Sequence, residues 1–405
     1  MARQKTAENP VPLGNPRLVE KLISEIRKEG KISFARFMEA ALYDPDDGYY
    51  TTPGEKIGLR GDYFTSTDLH PIFGKLLAKQ IIEMDDLLDH PKEFSLLEMG
   101  AGKGLLCYDI LTGLREFSPE LYRRIRYLVI ERSPWMIQRQ KELLRPFLKE
   151  SCRIEWHGDL ESNNLIGCVL SNELFDAFPV HPFVMTENGL QEVYVTFKNG
   201  KFAEQIGPPS RSELSDYIKR LGLELSYGFR GEINLEAMSW MKKVGRSLNR
   251  GFVITMDYGY PAEELYCALH RNGTLLCYYH HKVRENPYDL VGQQDITAHV
   301  DFTSLARVGE EEGLQAIGFT DQTHFLMSLG IAQEMESLAV RVDHDTKAKK
   351  EFELMRELMR PEDMGRTFKV LIQHKEMGQP QLLGLRFRPF FKSVLSGGSE
   401  RTFSA

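Results

Sequence analysis

The sequence predicts an α/β fold built on an open, mostly parallel sheet. Short runs between residues 94 and 256 are apolar throughout rather than alternating, as strands covered on both faces must be. Helix-compatible stretches separate these runs, the alternation of a doubly wound core. The first run also passes directly into a turn with glycines at alternate positions, Gly100, Gly102 and Gly104. Glycine there lets backbone N–H groups approach a ligand where a Cβ would collide.

The elements follow in order. Asn15 and Pro16 cap a helix carrying Leu18, Leu22 and Ile26, and Gly30 ends it. Ser33 caps a second helix with Phe37, Met38 and Leu42, and the spacing of Phe73, Leu76, Leu77 and Ile81 predicts a third from about Asp68 to Glu83. Strands are expected over 94–97, 126–130, 152–156, 168–170 and 252–256, with helices at 105–114 and 134–148. Asn199-Gly200 between two β-rich runs, 192–197 and 201–206, predicts a hairpin. Ser210 and Glu213 read as a capping box for a following helix. Residues 262–365 read as mostly helical, and 368–373 and 382–387 as two antiparallel closing strands.

This organisation divides the chain into a helical amino-terminal region with a lid segment (1–92), the first half of the core (93–180) and a hairpin and helix insertion (181–250). The fifth strand region (251–280), a helical substrate or partner region (281–365), the closing strands (366–395) and a tail (396–405) complete it.

Whole-chain properties exclude several classes. The 405 residues carry a formal charge of −7, against general nucleic-acid affinity. No run reaches the ~18 apolar residues of a membrane span. The amino end lacks the apolar core of a signal peptide, and Arg3 with Lys5 is too little for a transit peptide, so a cytoplasmic location is expected. Cys107, Cys152, Cys168, Cys267 and Cys277 are dispersed, which suits reduced thiols and neither a disulfide frame nor a zinc site.

In such sheets ligands bind beyond the carboxyl ends of the strands. The first strand delivers Glu98 and the glycine turn with Ala101. A dinucleotide fingerprint would place its third glycine at Leu105, but here it falls one residue early, at Gly104. The second strand delivers Glu131, whose carboxylate suits ribose hydroxyls. The third delivers Gly158, Asp159 and Leu160, with Asp159 an acceptor for an adenine amino group and Leu160 a packing surface for the ring. The fourth gives Asn172 and Glu173, and the fifth Asp257 and Tyr258. Acids at so many strand ends disfavour a phosphate ligand. They suit S-adenosylmethionine (SAM), which has no phosphate and carries a sulfonium that Tyr258, Phe64 or Phe175 could face.

Several segments together resemble the MidA-like methyltransferases, the family that includes the mitochondrial complex I assembly arginine methyltransferase. They are Gly48-Tyr49-Tyr50, Gly61 to Ser66, Glu98 to Leu106, Glu131 to Pro134, Ser171 to Val180, Asp257 to Tyr260, Asp295 to Phe302 and Phe368 to Leu371. Ala101 stands where proline is usual, Leu276 where arginine is common and Lys75 where glutamate is. The resemblance implies a Rossmann-like class I SAM methyltransferase core, a mostly parallel seven-stranded sheet with an antiparallel closing strand. It implies SAM as cofactor, S-adenosylhomocysteine as product, and Arg132 and Ser133 among the cofactor contacts. It further implies protein arginine N-methylation, symmetric dimethylarginine in the mitochondrial relatives, on a respiratory-complex or other protein subunit. The insertions favour a protein substrate. A SAM-binding assembly factor without transfer, and a methyltransferase for another residue or a small molecule, are the alternatives.

For an arginine acceptor, paired carboxylates would fix the guanidinium plane. Glu173 and Asp176, three residues apart, would share one side of a helical turn, with Asn172 holding the adjacent backbone. Gly61, Asp62, Thr65 and Ser66 read as a lid whose hydroxyls can meet a carboxylate. Asp257, Tyr258, His281 and His299 are substrate-side candidates. Their histidine spacing matches no metal-ligand motif, so no metal is expected.

Overall fold

A computed structural model describes residues 13–56, 58, 61–62, 65–150, 152–160, 164–360 and 365–387. Seven strands numbered along the chain form the path of the main sheet: β1 Phe94–Met99, β2 Ile125–Ile130, β3 Arg153–His157, β4 Leu165–Asn172, β5 Leu248–Tyr260, β6 Gln315–Asp321 and β7 Phe368–Lys375; a short eighth strand, Val300–Asp301, pairs with the end of β5. Their order is β3-β2-β1-β4-β5-β7-β6. The pairs from β3 to β5 are parallel, and β7 runs antiparallel to both β5 and β6. A parallel sheet closed by an antiparallel strand is the arrangement that the resemblance implies. The switch point lies between β1 and β4, where the chain order reverses, so ligands belong beyond the carboxyl ends of these two strands.

Helices cover both faces. Ile72–Leu87 and Leu105–Phe117 pack on one, through Leu76, Leu77, Ile81, Ile110 and Leu114; Leu235–Ser247 and Phe302–Glu311 pack on the other, through Trp240, Val244, Phe302 and Leu305. Two glycines permit close contact: a Cβ at Gly74 would lie 2.4 Å from the Asp109 Cβ, and one at Gly113 would lie 2.8 Å from the Ala78 Cβ.

A second body stands over the carboxyl ends. Antiparallel strands Ile32–Ser33, His181–Thr186, Gly189–Lys198, Lys201–Gly207 and Arg230–Ile233 make a five-stranded sheet, in which Ile32 pairs with Val195. The helices Pro16–Glu29 and Phe34–Tyr43 press Leu22, Phe37 and Met38 against Val195, Phe202, Cys277 and Ile296. Asn199 and Gly200 have φ of 52° and 74°, the positive pair a two-residue hairpin turn requires.

Some expectations need correction. The third helix begins at Ile72, after a separate turn Ser66–Leu69, because Pro71 disfavours helical geometry at His70. The stretch 134–148 breaks into Pro134–Leu143 and Arg145–Leu148, since Pro146 has no N–H for a continuous ladder. The Ser210 capping box does not form: the cap is Arg211, and the Ser210 N–H donates to the buried Glu192 carboxylate at 2.5 Å. The stretch 262–365 is mixed rather than mostly helical. It holds β6 and a three-stranded sheet of Leu276–Tyr279, Lys282–Arg284 and Asp295–Thr297. The outer antiparallel partner of β7 is β6 rather than the expected 382–387, where Leu383–Leu385 is a 3₁₀ turn buried against Phe325 and Gln80. Among the described residues no helix is long and apolar enough to cross a membrane.

Candidate active site

Two adjoining cavities open at the switch point. The smaller, about 50 Å³, is lined by Glu98, Gly100 to Lys103, Leu106, Asn172, Glu173, Thr65 and Thr67. The larger, about 600 Å³, runs from Gly100, Gly102 and Glu131 to the second body, reaching Tyr43, Tyr50, His181 and Arg211.

The glycine turn is held open by its backbone. Gly100, Gly102 and Gly104 have φ of 68°, 51° and 83°, and Gly104 caps the helix Leu105–Phe117 in left-handed geometry. A Cβ on Gly100 would sit 2.8 Å from Leu174 Cδ1, so glycine keeps both conformation and clearance. Lys103, the one cation in the turn, pairs with Asp68 of the lid turn. The turn therefore offers little to a phosphate. Buried Glu98 accepts from Tyr127 Oη at 2.6 Å, and burial pushes its pKa up to about 7 despite that bond.

Beyond β2, Glu131 Oε1 accepts from the Ser133 N–H at 2.8 Å and Oε2 from Gln140 Nε2 at 3.3 Å. Burial nevertheless raises its pKa. Arg132 and Ser133 line the large cavity beside it. Gln140 donates also to the Gly102 carbonyl at 2.8 Å and accepts from Trp156 Nε1 at 2.8 Å, tying the glycine turn to Glu131. Gln140 is not among the residues that the sequence singles out. Its position two helical turns after Ser133, on the same face, was the available signal. Gly158, Asp159 and Leu160 lie at the end of β3 but outside both cavity linings; Asp159 is exposed and pairs with Lys243 at 3.0 Å.

At the end of β4 the chain turns without forming a helix. Glu173 has φ of 53°, and its N–H donates to the Met256 carbonyl at 3.0 Å. The expected helical turn carrying Glu173 and Asp176 is therefore absent. Glu173 lines both cavities, and its Oε1 accepts from the Ser66 N–H at 3.2 Å and Asn172 Nδ2 at 3.1 Å. Burial, with Asp257 and Asp68 nearby, raises Glu173 to about 8. Asn172 lines the small cavity, and its Oδ1 is buried with no hydrogen-bond partner among the described residues. Asp176 lies behind the wall, 6% exposed, its pKa well above the carboxylate range through burial and the neighbouring Asp257 and Asp295.

Asp257 is not available to a substrate as expected. It is fully buried and accepts backbone N–H bonds from Phe175 (2.8 Å), Tyr258 (2.8 Å) and Leu174 (3.1 Å). Its carboxylate shapes the loop that presents Glu173. The ring of Tyr258 packs 4.0 Å from that of Phe368, and Phe175 is a core residue with no exposure. Phe64 lies outside the described residues.

The lid expectation meets Asp62 as an anchor. Asp62 accepts from Tyr49 Oη at 2.7 Å and the His280 N–H at 2.7 Å, while its carbonyl accepts from His281 at 2.9 Å. His281, with φ of 58°, is thus a turn residue joined to the Gly61–Asp62 segment, outside both cavity linings. His299 is also outside them, packed near Tyr260 and His270, with burial lowering its pKa to about 4. Tyr43 and Tyr50, unassigned from sequence, stack at 5.5 Å in the cavity wall, and Tyr50 Oη donates to buried Asp295 at 2.7 Å.

These groups fit SAM. Asn172 Oδ1 and Glu98 offer acceptors for an ammonium, the glycine turn offers N–H groups for a carboxylate, and Glu131 offers oxygens for ribose hydroxyls. No cation cluster at the turn demands phosphate.

Comparisons with known proteins agree. Residues 76–320 match the family described as "Putative S-adenosyl-L-methionine-dependent methyltransferase". The human mitochondrial protein arginine methyltransferase NDUFAF7 is 26% identical, covering 97% of this chain and 91% of the relative. Its Drosophila melanogaster homologue is 24% identical, covering 91% and 87%. A Burkholderia thailandensis protein crystallised with S-adenosyl-homocysteine superposes with a TM-score of 0.82 at 29% identity, covering 93% of this chain and 98% of the other. SAM is the cofactor, and the chain belongs to the MidA-like family of SAM-dependent methyltransferases.

Proposed function

We propose that this methyltransferase acts on arginine side chains of a protein substrate, a subunit of a respiratory or other complex. The observation that carries this reading is the acidic, aromatic wall of the large cavity: Glu173 in front, Asp176 and Asp295 behind, and stacked Tyr43 and Tyr50 beside them. Buried carboxyls with raised pKa values are unstable as isolated anions and gain most when a cation arrives. The names of the human and fly relatives, both protein arginine methyltransferases, support the same class.

SAM supplies an activated methyl group, so the protein's work is to orient the acceptor and exclude water. Glu173 Oε2 would hold one guanidinium nitrogen while Oε1 stays on Ser66 and Asn172. Asp257 fixes the loop so that this orientation persists. Gly61, Asp62, Thr65 and Ser66 would cover the small cavity, with Thr65 in its wall.

The test is incubation with methyl-labelled SAM and an extract of the source cells, followed by mass spectrometry of labelled peptides. Label on arginine, in the symmetric dimethyl form implied by the mitochondrial relatives, supports the reading. Label on a small molecule or another residue overturns it.

A further inference from the structure

His181 begins the strand His181–Thr186 and faces the large cavity from the second body. Its Nδ1 lies 2.8 Å from Glu192 Oε1. Glu192, on the adjacent strand, is completely buried, and its other oxygen accepts from the Ser210 N–H. Burial alone would raise the Glu192 carboxyl, but the bonds from His181 and Ser210 outweigh it and hold the group below its usual range. An ionised, buried carboxylate on Nδ1 fixes that nitrogen as the N–H and leaves Nε2 as the lone-pair atom. This arrangement, a base oriented by a buried carboxylate, is the geometry that proton-transfer sites use.

The other charged groups around it serve elsewhere or differ in kind. Arg36 and Glu39 pair with one another at 3.1 Å on the helix Phe34–Tyr43, Arg211 and Glu236 line the outer wall, and Glu173 is already protonated over much of the neutral range. Of the cavity-lining basic side chains, His181 alone is hydrogen-bonded to a completely buried carboxylate among the described residues.

We propose that His181 Nε2 accepts the proton that the methyl acceptor loses, with Glu192 as the positioning residue that holds the imidazole and stabilises its cation. The balance is simple: the acceptor nitrogen's lone pair forms the bond to carbon, the carbon–sulfur pair returns to sulfur, and the acceptor's N–H proton passes to Nε2. The imidazolium sits against the Glu192 carboxylate until the proton leaves to water. This rests on the acceptor being a nitrogen of a protein substrate.

The test joins a spectroscopic and a kinetic readout on the full chain. In the ¹⁵N-histidine spectrum of the wild-type protein, neutral His181 should be the Nδ1–H tautomer, and that preference should weaken in Glu192→Gln. Methyl transfer from radiolabelled SAM to extract protein should fall on the order of 10²-fold in His181→Ala, the low end of general-base effects. Glu192→Gln should shift the pH–rate profile, and calorimetric SAM binding should stay within about twofold of wild type in both. A wild-type Nε2–H tautomer, which needs no variant to fold, overturns the proposal. So does a soluble His181→Ala protein with wild-type rates across the pH range. Label on lysine instead of arginine, with the His181 dependence intact, removes the arginine reading and leaves this one standing.

Discussion

The Ser66 backbone N–H donates to the Glu173 carboxylate at 3.2 Å, across 107 residues of chain. The first turn of a short helix from the amino-terminal region thereby touches the acid at the end of β4. Ser66 Oγ meanwhile holds Gln322 Oε1 at 2.9 Å, so the same residue is fastened to the far edge of the core. Replacing Ser66 by proline removes the N–H at a helix position where proline is tolerated. Alanine keeps the N–H and serves as control. The pH–rate profile of Ser66→Pro should shift to higher pH, because the carboxylate loses a donor that favours its charged form; Ser66→Ala should not shift.

Glu173→Gln should retain SAM binding within a few-fold and lose methyl transfer on the order of 10²-fold, the scale for removing one transition-state contact. Isothermal titration with S-adenosylhomocysteine and a labelled-methyl assay separate the two effects. Equal loss of both would reassign Glu173 to cofactor binding.

Asp257→Ala strands three backbone N–H groups of the 174–176 loop and Tyr258. A loss of about 1–3 kcal/mol per unsatisfied buried group sets the scale. Urea unfolding should show a clearly lower midpoint, and Asp257→Asn, which keeps one acceptor oxygen, should fall between the variant and the wild type.

Ligand binding should release protons. Glu173, raised to about 8, and Glu98, raised to about 7, are partly protonated at pH 7, and an entering cation favours their ionised forms. Calorimetric enthalpies of SAM binding at pH 7 should therefore vary with buffer ionisation enthalpy, and in the sense of proton release. The dependence should weaken in Glu173→Gln.

The ligand-free protein should lose stability as pH rises from about 5 to 8.5. Burial sets Asp295 to about 6, Glu98 and Asp257 to about 7 and Glu173 to about 8. Each folded value lies above the unfolded one, so the contribution is full below about pH 4 and is lost through pH 6–8. Thermal midpoints across this range check it, and saturating SAM should flatten the decline. Glu155, lowered to about 2 mainly by Arg126, acts only at more acid pH.

The core was legible because its signals are local. Apolar strands, Gly100 to Gly104 and Glu131 each announce themselves within a few residues. Strand β6 was hidden because Gln315–Asp321 is short, mixed in polarity and interrupted by Gly318, so only pairing with β7 makes it a strand. The hairpin at His280 and His281 carries no Asn-Gly signal, yet both residues have positive φ and donate their N–H groups to Asp62. Likewise Asp257 reads as a site acid from its place after β5, yet long-range geometry gives its oxygens to the Phe175 and Leu174 amides. The His181–Glu192 pair needs two neighbouring strands in register, which spacing along the chain cannot supply.

The pairing of Ile32 with Val195 also has a meaning for the order of synthesis. Phe37, Met38 and Leu42 leave the ribosome long before Phe202, Cys277 and Ile296, the side chains that cover them. For most of translation the amino-terminal helices are sticky surface without a partner, the state in which chains aggregate or engage chaperones. The roof of the active site is thus begun first and finished only when nearly three hundred residues exist, so truncated products should be insoluble rather than partly active.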